Sequence, residues 1–376
     1  MVTKNGTVYS VRDYFRDVTS TTPVFTTHTQ ESINGEIVGL ILSMESILII
    51  STNILVAIAL VLLIWKRGSQ NWCFVLNLAV ADILVGLAIT ALASYAMKGR
   101  LSSMNKELCL LKMAFVITPS TASILTMFFI SLDRYIAIKL PLRYTQVMGT
   151  KTIIGALLCL WLISASIGFL PHMVEDMQHG DYESICTFFS VINPQSIIIV
   201  FCIVFFPILL VFIYFYLDIL KIAWSHQRRI QQATQVNSSC VLPNRYWVHV
   251  KALKTVAVLI GCITLCWCPF FVVSVVQVLC PSCKLYRFLE NHLWMLALSN
   301  SLINPLVYAF WQKEVRQQLC AIFSCIKASH CCSKASDASE GHGDQTIASQ
   351  SRNELDHCQF IFRKPATIPF TTSALS

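Results

Sequence analysis

Seven stretches of this sequence, near residues 37–65, 73–97, 108–138, 152–171, 195–223, 250–279 and 288–310, are long and almost wholly apolar. Each is of the order of the roughly 20 residues that a helix needs to cross the hydrocarbon of a bilayer. In that solvent every backbone N–H and C=O has to be paired within its own segment, so such runs must be helical. Composition agrees, since 55% of the residues are hydrophobic and only 13% charged, whereas a soluble domain carries about 25% charged residues. The expected fold is all-α, a seven-transmembrane helix bundle. An odd number of spans also puts the two ends of the chain on opposite sides of the membrane.

Charge sets the orientation, because Lys and Arg accumulate in short cytoplasmic loops. One set of loops carries Lys66, Arg67, Lys139, Arg143, Lys151, Lys221, Arg228, Arg229, Arg245, Lys251 and Lys254; the other has only Lys98, Arg100, Lys106, Lys284 and Arg287. The first set is expected inside, which leaves residues 1–36 as an extracellular N-terminus containing the glycosylation sequon Asn5-Gly6-Thr7. No basic stretch leading into an apolar one opens the chain, so no cleavable signal peptide is expected. The bundle is expected over 37–310, a short amphipathic eighth helix on the membrane surface over 312–325, and a disordered cytoplasmic tail over 326–376. The net charge of +8 does not point to nucleic acid, because the basic residues lie between apolar runs and form no domain of their own. The 16 cysteines are mostly scattered through apolar stretches, where a thiol is a small hydrophobe.

Polar residues inside the runs need a reason, since a carboxylate at the bilayer centre costs about 2.5–3.5 kcal/mol on insertion scales. Asp82 stands mid-segment, with Asn53, Ser123, Asn300 and Asn304 as its expected partners. Two readings stand: a small-cation site of carboxylate, hydroxyl and amide oxygens, or a hydrogen-bonded network that only joins helices. Asp133-Arg134-Tyr135 ends the third segment, Cys266-Trp267-Cys268-Pro269 lies in the sixth, and Asn304-Pro305-Leu306-Val307-Tyr308 closes the seventh. Proline removes a helix hydrogen bond and kinks the helix, so Pro207, Pro269 and Pro305 are expected hinges.

In combination and in this order, these motifs resemble the rhodopsin-like (class A) G-protein-coupled receptors over residues 37–325. The resemblance implies a disulfide between Cys109 and Cys186, Arg134 contacting a heterotrimeric G protein, Trp267 as a toggle beneath the ligand, and Tyr308 swinging inward on activation. Trp161 takes the place of the fourth helix's signature tryptophan. Within the family, the runs Asn77–Asp82, Ser131–Tyr144, Asp218–Ala223 and Tyr308–Arg316 resemble receptors that sense lipid amides such as oleoylethanolamide and couple to the stimulatory G protein. Adenosine, melanocortin and cannabinoid receptors form the wider cluster.

Departures from the family pattern narrow these expectations. Pro119 interrupts the third segment one turn before Ser123 and puts the geometry of an allosteric sodium site in doubt. Glu45 places a second carboxylate in the first segment, and Phe215 replaces the fifth helix's usual tyrosine. His249 stands where an acid often latches Arg134, and high basal signalling is the expected result. Val116 replaces the aspartate of amine receptors, Leu298 the retinal lysine of opsins, and Ser274 the asparagine of adenosine receptors.

The expected cavity is then mostly apolar, lined by Met113, Val116, Phe188, Phe189, Phe270, Phe271 and Trp294, and such a cavity suits an acyl chain. Each of these side chains taken singly reads more readily as helix packing. At its mouth Lys112 and Glu290 are placed either to pair with each other or to hold a lipid headgroup, and Ser274 can add a hydrogen bond or spend it on its own backbone. Cys280-Pro281-Ser282-Cys283 reads as a small loop disulfide, since one pair cannot complete a tetrahedral zinc site. Cys331 and Cys332 are palmitoylation candidates, and Leu142 is the expected plug into the G protein. Ser333, Ser336, Ser339, Thr346, Ser349 and Ser351 can take phosphate from receptor kinases and recruit arrestin. No nucleophile–base set, metal triad or phosphate loop supports catalysis. A rival reading, an ion-coupled transporter, expects internal repeats or paired broken helices, and the sequence shows neither.

Overall fold

The computed structural model describes residues 2–4, 7–9, 11–67, 72–98, 104–180, 182, 186–236, 244–283 and 285–338. The long helices are α1 (Val11–Arg67), α2 (Cys73–Lys98), α3 (Lys106–Lys139), α4 (Thr150–Met173), α5 (Pro194–Val236) and α6 (Asn244–Leu279). A seventh, α7, is assembled from Tyr286–Phe288, a π-helical turn at Leu289–Leu293, Trp294–Leu298 and Asn300–Trp311. After an extended Gln312, α8 runs over Lys313–Ala338. The seven apolar runs map one to one onto α1–α7.

Burial is arranged for lipid rather than for water. Ile49, Leu60, Leu78, Ile89, Leu110, Met127 and Leu160 are wholly enclosed where helices meet, while Leu162 and Leu265 are 70% and 73% exposed on the outside. An apolar rim of that kind is unfavourable in water and neutral in hydrocarbon. Close approach of α3 and α4 depends on Gly168, where a Cβ atom would stand 2.1 Å from Thr118 Oγ1. Asn77 joins three helices, donating to Thr126 Oγ1 (2.8 Å) and accepting from Trp161 Nε1 (2.9 Å). Val315 and Ile322 form the buried side of α8, which packs beside α1.

Three boundaries differ from the sequence expectation. A two-stranded hairpin, Val2–Lys4 with Thr7–Tyr9, precedes the helices, so all-α describes the bundle. α1 begins at Val11, well before residue 37, because a formed helix extends at small cost and an apolar pattern marks only the part that lies in lipid. α8 passes residue 325 and reaches Ala338, a correction to the expected tail from 326; no Gly or Pro occurs between 326 and 338 to stop it. Residues 339–376, with Ser339, Thr346, Ser349 and Ser351, lie outside the described residues, as does Asn5.

Candidate functional site

At one end of the bundle a disulfide joins Cys109, at the start of α3, to Cys186 in the segment between α4 and α5. That segment is folded back on itself by His179 N–H to Val191 O (3.0 Å) and Asn193 N–H to Met177 O (2.8 Å). Thr187 N–H donates to Ser190 Oγ and Ser190 Oγ to Thr187 O, both at 2.9 Å, which winds Phe188–Val191 into a single turn. The turn drives Phe188 and Phe189 inward, where both are buried. Phe188 lies 4.8 Å from Trp294 and Phe270 lies 5.5 Å from Trp294, centroid to centroid. Beneath them Trp267 lies near-parallel to Phe271 at 5.9 Å. Glu290 fixes this lid, its Oε1 accepting the Phe189 N–H at 3.2 Å while the Thr187 side chain also hydrogen-bonds to it.

Deeper in the bundle Asp82 is fully enclosed. Ser123 Oγ donates to its Oδ1 and Asn304 Nδ2 to its Oδ2, both at 2.8 Å, and the Ser301 side chain joins them. Asn53 Nδ2 reaches the Ser301 carbonyl at 3.0 Å and ties α1 to α7. Beside this carboxylate Asn304 Oδ1 is a buried acceptor without a protein partner, as is Asn300 Oδ1 one turn earlier on α7. The Tyr308 hydroxyl and the Trp267 Nε1 donor are buried and lack one too. A hard cation takes oxygen ligands, so the Asp82 carboxylate, the Ser123 hydroxyl and the orphaned Asn304 amide oxygen fit sodium. Pro119 does not spoil this geometry: α3 continues through it, and Ser123 still reaches Asp82.

At the opposite end Arg134 Nε sits 3.4 Å from Asp133 Oδ2. The other oxygen of Asp133 accepts from the Tyr144 hydroxyl at 2.6 Å, and Tyr144 belongs to the turn Tyr144–Val147 between α3 and α4. Burial, then this bond to an anion, pushes the Tyr144 phenol above its ordinary pKa. Leu142, two residues earlier, is 94% exposed. Tyr135 points the other way, toward α5, where its hydroxyl donates to Asp218 Oδ2 at 2.8 Å and its ring stacks on Phe215 at 4.6 Å.

A family model described as the 7 transmembrane receptor (rhodopsin family) matches residues 52–308. The chain belongs to this family. The glucose-dependent insulinotropic receptor of Rattus norvegicus is 47% identical over 285 residues, 75% of this chain and 61% of the rat protein. The chain thus spans less than two thirds of that relative's length. The glucose-dependent insulinotropic receptor of Homo sapiens is 44% identical over 283 residues, covering 75% of this chain and 84% of the human one. The histamine H2 receptor of Cavia porcellus is 28% identical over 297 residues, 78% and 81% of the two chains.

For a rhodopsin-family receptor the anticipated residues fall into three groups. Phe188, Phe189, Phe270, Phe271 and Trp294 come together over Trp267, and Met113 packs in the same apolar cluster. Asp82, Ser123 and Asn304 meet in the interior, Asn300 is buried one turn earlier on α7, and Pro269 and Pro305 lie inside α6 and α7. Asp133, Arg134, Tyr135 and Leu142 gather at the far end. Cys280 and Cys283 are bonded to each other beyond α6.

One pairing is corrected. Glu290 does not meet Lys112, because the lid takes its carboxylate; Lys112 Nζ instead lies 5.2 Å from the centre of the Tyr95 ring. Ser274 gives its proton to Phe270 O at 2.7 Å, so the helix holds it. Val116 packs with Val85, Ile89 and Leu298 in a cluster that Trp294 also packs against. Cys331 and Cys332 lie within α8, and their side chains, like that of His249, fall outside the description.

Sequence reading missed the residues that do the tying. Gln277 Oε1 accepts the Leu285 N–H between α6 and α7, and the Tyr95 hydroxyl accepts the Cys186 N–H at 3.2 Å. One signal was available: Thr187 followed three residues later by Ser190 has the spacing of a capping box.

Proposed function

We propose that the receptor senses a lipid-amide-type ligand, similar to oleoylethanolamide, and couples to the stimulatory heterotrimeric G protein to raise cyclic AMP. The observation that carries this reading is the aromatic cluster of Phe188, Phe189, Phe270 and Trp294 above Trp267. These side chains are apolar and mostly buried, a surface that suits an acyl chain better than a charged ligand. The identity to the two glucose-dependent insulinotropic receptors supports the same reading. An amine ligand, suggested by the name of the histamine relative, lacks its anion here because Val116 is apolar and buried.

In this reading the chain lies in the plasma membrane with its N-terminus outside, as the Lys and Arg distribution asks. Asn5 carries glycan, Cys331 and Cys332 carry palmitate, and tail serines recruit kinases and arrestin. A sodium ion bound by Asp82, Ser123, Asn300 and Asn304 favours the resting state, so sodium removal raises basal signalling. An agonist shifts the equilibrium by binding the active state more tightly.

The test is cyclic AMP in cells expressing the chain, with and without oleoylethanolamide. Basal output above mock-transfected cells at matched surface level, and a further rise with the lipid, are expected. A flat response in both arms overturns the lipid and G-protein assignments and leaves the family untouched.

A further inference from the structure

Three side chains at the Arg134 end form a contact that the reading above does not use. Asp218, on α5, accepts at Oδ2 both the Tyr135 hydroxyl (2.8 Å) and Lys139 Nζ (2.7 Å), each from α3. Lys139 also hydrogen-bonds the Tyr135 hydroxyl and stands 4.9 Å from the centre of its ring. Beneath this charged node, Tyr135 stacks on Phe215 with planes 20° apart. One carboxylate, one ammonium and one phenol thus close a triangle between two helices, backed by an apolar stack.

Two substitutions give the triangle a purpose. Phe215 has no hydroxyl, so α5 cannot reach for Arg134 from that position. The α6 position expected to latch Arg134 is His249, not an acid. Arg134 is held within α3 by Asp133, which is the resting arrangement of that pair in a mechanism where Arg134 is the inner readout.

We propose that Asp218 is a positioning residue which, through Tyr135 and Lys139, latches α5 to α3 in the resting receptor and does the work that an α3–α6 latch does elsewhere. Opening the crevice at this end then requires α5 to leave α3, so the latch sets the basal level. The consequence for signalling rests on the G-protein reading; the latch itself does not.

The experiment separates the two. Spin labels carried by unnatural amino acids at Leu140, the exposed C-cap of α3, and at Leu220 on α5 report the α3–α5 separation in nanodiscs, and basal nucleotide exchange on the stimulatory G protein is measured in parallel. Asp218→Asn is expected to widen the distance distribution and raise basal exchange about two- to five-fold, the range of a partly exposed charge pair. Tyr135→Phe, which keeps the stack, is expected to do less of both. Asp218→Glu is expected to restore the wild-type distribution, as is the swap Lys139→Asp with Asp218→Lys. A distance distribution unchanged by Asp218→Asn overturns the latch, as does a swap that stays as wide as the single variant. A widened distribution with no exchange in any variant or in the wild type upholds the latch and overturns the G-protein reading.

Discussion

The two ends of the bundle are built on different principles. The disulfide end is fixed by covalent and buried ties: Cys109–Cys186, Cys280–Cys283, the Glu290 carboxylate on the lid backbone, and Gln277 on Leu285. Around Phe188 and Phe189 its aromatic rings pack with centroid distances of 4.8–6.4 Å. The Arg134 end is held by partly exposed charges and hydroxyls, with Lys139 at 41% and Arg134 at 28% side-chain exposure. The long disulfide costs several kcal/mol to break and a buried hydrogen bond at this end about 1–3 kcal/mol, whereas solvent-screened ion pairs contribute little. A two-state receptor needs this asymmetry, because the ligand end has to keep its shape while the far end is redistributed by modest free energies.

The largest expected effect is at the long covalent tie. Cys109 and Cys186 close a loop of sequence separation 77, whereas Cys280 and Cys283 are separated by 3. The chain-entropy relation assigns about 4–5 kcal/mol to the first and about 1.5 kcal/mol to the second. Cys109→Ser with Cys186→Ser should therefore lower the thermal midpoint of purified receptor far more than Cys280→Ser with Cys283→Ser. Equal shifts would remove the ranking of ties at this end.

Next comes the helix contact at Gly168. A Cβ there overlaps Thr118 Oγ1 and stands 3.0–3.1 Å from the α3 backbone, so the Thr118 side chain must turn away and α3 and α4 must give by a few tenths of an ångström. Gly168→Ala should cost about 1–3 kcal/mol by overpacking, read as a fall in thermal midpoint. A neutral Gly168→Ala would show that this region yields as readily as the Arg134 end.

The lid gives a smaller and more specific effect. Glu290→Ala leaves the Phe189 N–H buried without its acceptor, a loss of about 1–3 kcal/mol. Lipid agonist potency should fall about tenfold or more, while basal signalling per surface receptor stays at wild type. Glu290→Gln retains an acceptor oxygen and should recover most of the potency. If the two variants behave alike, the carboxylate has a role beyond holding the lid.

What was legible in the sequence divides along the same line. The seven spans were legible because lipid imposes composition on every residue of a helix, and a run of that length has no competing fold. The Asp82 cluster was legible because a carboxylate in such a run is costly and must be met by donors on neighbouring helices. The π-helical turn in α7 was not; it contains Glu290, whose carboxylate meets a lid that folds from a distant segment. The Lys112–Glu290 pairing failed for the same reason: proximity along two helices says nothing about the loop between α4 and α5 that intervenes. Asp218 was in view as part of a family run, yet its contact with Lys139 depends on how α3 and α5 are rotated, which periodicity alone does not fix.

The smallest expected effect tests the comparison most directly. Tyr144 donates to Asp133 at 2.6 Å and carries the turn that presents Leu142. Tyr144→Phe keeps the ring and removes one bond, a change of about 0.5–1.5 kcal/mol. Asp133 keeps Arg134, so the resting pair survives, but the turn bearing Leu142 loses its anchor. Agonist-stimulated exchange should fall about two- to tenfold, the factor that this free energy allows. Agonist affinity, measured by competition on membranes without G protein, should not move, because the ties at the disulfide end are untouched. A matching loss of affinity would mean that the two ends are coupled in the resting receptor as tightly as each is tied within itself.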